Sequence, residues 1–171
     1  MKKRCDSEVL LKAGIVCLKG RITPLEEKRV VEELASLSVQ DIPFITLYIS
    51  SKGGSMKFAL RLHDILKKST KKVVGIVIDN AYSMAAIVLQ GCSERKAYED
   101  ALFLIHDVRL AEDVTPNDEL NERKEKGQEI IYKILSECSG RTVMEITEVC
   151  RQNKKMSAHE AKALGLIDEV I

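Results

Sequence analysis

Three short stretches carry the residue types that acyl transfer needs. Ser83 stands in "DNAYSMAAIVLQGC" (79–92), between two apolar runs; His106 closes "ALFLIH"; Gly53 and Gly54 stand in "SKGGS". A hydroxyl becomes a nucleophile when a nearby imidazole takes its proton, and backbone N–H groups left bare by glycine can hold the oxyanion that forms. Each piece alone has a plainer reading. Paired glycines make a strand-to-helix turn, a serine at a helix start caps it, and a histidine ending a strand is commonly structural. Their shared placement changes the balance. All three follow the C-terminal ends of apolar runs, where α/β proteins place their sites.

The elements that must position them are legible as a β-α alternation. "AGIVCLKGRI" (13–22) predicts a strand. "TPLEEKRVVEELASLS" (23–38) predicts a helix with Thr23 as N-cap, Pro24 at its first position and Glu26 three residues after the cap. Leu25, Val30, Leu34 and Leu37 recur on it at helical intervals. "PFITLYIS" (43–50) predicts a strand and "MKFALRLHDILKKS" a helix, followed by strand "KKVVGIVI" and helix "SMAAIVLQG". "ALFLIH" is the next strand. Residues 118–139 predict a charged helix stopped by Gly140, followed by helices "TVMEITEVCRQ" and "SAHEAKALG" and a last strand in "LIDEVI". The pattern predicts one α/β domain over residues 1–171 with mostly parallel strands.

Composition sets outer limits. At 171 residues the chain suits one hydrophobic core, and a net charge of +1 offers no bulk attraction to nucleic acid or anionic membrane. No apolar stretch is long enough for a membrane span, and the N-terminus lacks the apolar run of a secretion signal. The five cysteines are odd in number and widely spaced, without metal-ligand grouping, so disulfides, a metal site and cofactors are not expected. The reading is a cytoplasmic protein with reduced thiols. His63 beside Asp64 reads as structural; His159, Lys71 and Lys72 read as surface charge. Glu112, Asp113, Asp118 and Glu119 lack ordered cation-ligand spacing.

Order and spacing carry a resemblance. "YISSKGGSMKFALRLHDILKK", "DNAYSMAA", "ALFLIHD" and "KKMSAHEAKALGLIDEVI" are similar to the proteolytic subunit of the Clp protease, over about residues 14–171. The resemblance implies a Clp (crotonase-like) fold, a spiral of β-β-α units with a projecting helical handle at about 118–139. It implies a serine endopeptidase with Ser83 as nucleophile, His106 as base, and the backbone N–H groups of Gly54 and Met84 as oxyanion hole. It further implies self-association into rings of seven or fourteen subunits, polypeptide substrates and a Clp-type ATPase partner. In "KEKGQEIIYKILSECS", Ile130, Ile131, Ile134 and Leu135 form an apolar strip that needs a covering surface.

The chain departs from the family pattern where a third catalytic residue is expected. The position of the family aspartate, eight residues before Ser157, is Val149. Three arrangements follow: a Ser83–His106 dyad with another acceptor for the second ring nitrogen, a substitute carboxylate such as Glu148 or Asp107, or a catalytically weak ring subunit. Asp79, Tyr82 and Lys52 also differ, Tyr82 being expected to narrow or polarise the cleft. The segment "DVRLAEDVTPND" is short and lacks glycine, which weakens substrate binding by strand addition. The short N-terminal segment "MKKRCDSEVLLK" makes ATPase docking the least supported partner. An acyl-CoA hydratase or isomerase remains a third reading, since the same fold hosts that chemistry.

Overall fold

Strand-forming runs and capped helices alternate along the chain. The computed structural model describes residues 7–109 and 117–171. Cys5, Glu112, Asp113, the first residues of the N-terminal segment and most of the segment after His106 lie outside the described residues.

In chain order the elements are α1 (Ser7–Lys12), β1 (Ile15–Ile22), α2 (Pro24–Ser38), β2 (Ile45–Gly54), α3 (Met56–Lys67), β3 (Val73–Tyr82) and α4 (Met84–Leu89). There follow β4 (Glu94–Ala97), β5 (Leu102–Leu104), α5 (Asp118–Ser139), α6 (Val143–Gln152), β6 (Met156–Ser157), α7 (Ala158–Leu164) and β7 (Glu169–Val170). Among the described residues the strands make one sheet with β1, β2, β3, β4 and β7 side by side, all parallel. The short β5 pairs parallel with the end of β3 and antiparallel with β6. The mixed α/β architecture with a mostly parallel sheet is the one expected from the sequence.

The core follows from the patterning. Leu18, Leu47, Ile49, Val77 and Phe103 are buried from the strands and meet Leu34, Leu62, Ile87, Leu135 and Ile146 from the helices. Helix α2 starts as its sequence dictates, with Thr23 accepting from the Glu26 N–H. Its apolar face is rotated from the expected one: Leu25 is 79% exposed and Glu27 is buried, close to Arg61 Nε at 3.3 Å. Residues 27, 30, 34 and 37 continue one stripe, and position 25 lies ~200° around the helix from 27. Helices α6 and α7 each begin with a capping box, Thr142 with Glu145 and Ser157 with Glu160.

Several boundaries move. Strands β2 and β3 run on through Gly54 and Tyr82, whereas β5 stops at Leu104, two residues before His106. Strand β4, "ERKA", has no apolar pattern and was not anticipated. Its Arg95 is drawn inward by Asp168, Gln90 and the carbonyls of Cys138 and Gly165. Lys71 is more than surface charge, because its Nζ donates to the carbonyls of Gln40 and Ile42 at 2.6 and 3.0 Å. His63 is buried at 3% exposure with Nδ1 on Asp64. Among the described residues no helix is long and apolar enough to cross a membrane.

Candidate active site

The serine junction is built from main chain. Ser83 lies between β3 and α4 with φ 54° and ψ −125°, a conformation that costs a non-glycine residue about 1–3 kcal/mol. Such a sharp strand-to-helix turn lifts the side chain of its residue out of the sheet, as at the nucleophile elbow of α/β-hydrolases. The Ser83 hydroxyl caps nothing, so its Oγ is not occupied by the helix it precedes. The Ser83 N–H donates to Leu104 O at 2.6 Å. That bond ties the junction to β5 and continues the pairing of Tyr82 with Leu104. Two residues beyond Leu104 the chain reaches His106.

The glycine turn closes on the same point. A Cβ on Gly53 would lie 2.6 Å from Tyr82 O and 2.9 Å from both Met84 N and Ser83 Cβ; one on Gly54 would lie 2.5 Å from Ile22 O. At φ +83° and +152° both also adopt backbone shapes that favour glycine. The turn is held by Ser51, a buried residue whose hydroxyl donates to Gly20 O at 2.7 Å and accepts from the Gly53 N–H at 3.1 Å. Helix α4 has only six residues, so its dipole adds little. Any oxyanion stabilisation here comes from individual N–H groups.

These parts open on one cavity of about 500 Å³, lined by Gly54, Ser83, Met84 and His106 together. That volume is in the ordinary range for a small-molecule or side-chain site. Its walls are otherwise mainly apolar, with Ile22, Met56, Ile87, Ile105, Ile131 and Leu135 among them. Arg21 and Arg109 contribute exposed guanidinium groups, and no carboxylate is among its described lining residues. The four residues singled out from the sequence, on three segments distant along the chain, thus converge.

The second ring nitrogen of His106 has a partner. Nδ1 lies 2.6 Å from the main-chain O of Asp107, and a carbonyl only accepts, so Nδ1 carries the proton. The neutral ring then presents the lone pair of Nε2. The Asp107 carboxylate is engaged elsewhere, accepting from the Tyr132 hydroxyl at 2.6 Å. Burial, and then the bond to Asp107, push the Tyr132 phenol up to about 12, so it stays a donor at neutral pH. The other candidates for a third residue lie apart. Val149 is half-buried and lines a surface depression with Arg141, Lys154 and Met156, and Glu148 lines another with Met144 and Arg151.

Two further expectations change. Tyr82 is not part of the cavity lining; Lys155 Nζ sits over its ring at 5.4 Å from the centroid. The apolar strip on α5 is partly internal, with Ile131 and Leu135 buried and only Ile130, at 47%, well exposed. Sequence reasoning missed Ser51, Gln128 and Tyr132. The last two had a signal, a four-residue spacing on the predicted helix, but nothing in the sequence said what they would face.

A family model described as Clp protease matches residues 2–171, essentially the entire chain. The chain belongs to the Clp protease family. Membership agrees with the mixed α/β fold and supports peptidase chemistry in general.

Proposed function

We propose that this Clp-family chain is a serine endopeptidase that cleaves unfolded polypeptides or peptides through an acyl-enzyme. The observation that carries the reading is the strained Ser83 junction opening on the same cavity as His106, with the ring proton held away on Nδ1. Ser83 Oγ attacks the scissile carbonyl carbon while its proton passes to His106 Nε2. The electron pair of the carbonyl moves to oxygen, where the N–H groups of Gly54 and Met84 receive the charge. Collapse of the intermediate breaks the C–N bond, and the imidazolium gives its proton to the leaving amine. Water, deprotonated by the same imidazole, then attacks the ester and frees Ser83.

The cavity suits a bulky apolar side chain, and the two arginines favour an acidic residue or a terminal carboxylate beside it. Residues 1–171 act as one domain in this reading, with α5 as the handle. Family members typically form rings, and assembly into seven or fourteen subunits would cover Ile130 and the neighbouring half-buried Ile134. A cytoplasmic location accords with the reduced thiols inferred from sequence.

A fluorophosphonate probe tests the chemistry. Labelling should fall on Ser83 and vanish in Ser83→Ala. A folded wild-type chain left unlabelled at millimolar probe would instead support a non-catalytic ring subunit. That second reading draws on one observation: among the described residues the His106 Nδ1 proton meets a carbonyl and no carboxylate.

A further inference from the structure

We infer that Tyr132, on helix α5, is a positioning residue for His106 and acts through Asp107, taking over the orienting role that Val149 cannot perform. The inference deepens the peptidase reading and rests on His106 being its base.

The geometry runs through three consecutive residues. His106 Nδ1 meets the carbonyl of the very next residue, so the ring is only as well placed as the main chain of Asp107. Residues 105–109 belong to no helix or strand that would fix those torsions. Two side chains of α5 hold them instead. The Tyr132 hydroxyl donates to Asp107 Oδ1 at 2.6 Å, and Gln128 Oε1 accepts from the Val108 N–H at 2.5 Å. Gln128 and Tyr132 are four residues apart, hence on one face of the helix. The same helix sends the buried Ile131 and Leu135 into the cavity wall, which anchors that face.

The chemistry fits the role. An acceptor on Nδ1 sets the tautomer and ring orientation that a base needs. A carbonyl does this without a full negative charge, so it steadies the imidazolium less than a carboxylate would. The Asp107 carboxylate is aimed at the phenol through Oδ1, and Nδ1 meets the carbonyl of the same residue instead. Removing the phenol therefore frees the Asp107 main chain and disturbs the carbonyl's aim.

The test reads the ring directly. The chain has three histidines, so ¹⁵N spectra of the labelled full-length protein, with His106→Gln for assignment, report the tautomer. Neutral His106 should be in the Nδ1–H form, and Tyr132→Phe should shift it to a mixture. Second-order labelling of Ser83 by the fluorophosphonate should fall roughly tenfold in Tyr132→Phe. For a peptide substrate the loss should appear in kcat rather than KM. Asp107→Ala should match Tyr132→Phe, their combination should be no worse than either, and Asp107→Asn, which keeps an acceptor for the phenol, should recover most of the loss. If Tyr132→Phe fails to fold, the Asp107→Ala and Asp107→Asn pair decides. An Nε2–H tautomer in the wild type would overturn the inference. So would a Tyr132→Phe with unchanged tautomer and rate, or an Asp107→Asn as impaired as Asp107→Ala. Absence of labelling in the wild type would sink the peptidase reading alone, because the tautomer is read without turnover.

Discussion

The two halves of the cleft are built by different means. On the Ser83 side, position is enforced by backbone: the Ser83 turn is bonded to Leu104, and Gly53 and Gly54 press against Tyr82, Met84 and Ile22. On the other side, His106 lies beyond the end of β5 and bonds a neighbouring carbonyl, whose residue and the next are bonded by Tyr132 and Gln128. Main-chain packing tolerates no gradual change, whereas a side-chain relay can be weakened one bond at a time.

The largest effect should come from Gly53→Ala. The added methyl group meets main-chain atoms of Tyr82 and Met84, neither of which can swing away, and φ is +83°. Loss of an oxyanion donor alone costs about 10²–10³-fold in comparable enzymes, and misplacing the junction adds to that. Fluorophosphonate labelling should drop at least a hundredfold, with a lowered urea midpoint. Labelling within tenfold of wild type would mean that the turn is not packed as described.

An intermediate effect should separate the two arginines. Arg21 is held in β1 opposite Gly53, whereas Arg109 extends from the irregular segment after His106. For peptides with an acidic residue beside an apolar one, Arg21→Glu should lower kcat/KM about tenfold and Arg109→Glu only a few-fold. Raising the salt concentration should narrow both differences. An equal response would remove the distinction between a fixed and a loosely held half.

The smallest effect should come from Val149→Asp. Restoring the family residue type looks like a repair, but the side chain lines a depression with Arg141, Lys154 and Met156 instead of the cavity. Peptide hydrolysis should change less than threefold. A large gain would show that α6 can turn its carboxylate toward His106, and would displace the carbonyl from its role.

Much of this was legible in the chain. The Thr23 cap of α2 and the Gly140 stop of α5 marked those helices, since such signals are local. Ser83, His106 and the glycine pair were visible because catalytic residue types at strand ends are uncommon. Strand β4 was hidden, as "ERKA" is held by parallel ladders to β3 and β7 and by the Arg95–Asp168 pair, all partners far along the chain. The buried side of α2 was misjudged at Leu25 because periodicity gives a stripe's spacing better than its edge. The partner of His106 Nδ1 was beyond reach for a different reason. Every residue has a carbonyl, so no sequence pattern announces which one a ring will use.

The outer edge of β5 is sealed by Met156 and Ser157, contributed by the last sixteen residues of the chain. A three-residue strand gains little from its own length, so this late partner matters. A nascent chain that has not yet reached Met156 has every residue of the glycine turn and the serine junction, yet holds the strand before His106 from one side only. Synthesis past Ser157 is then the step at which the strand before His106 gains its second neighbour.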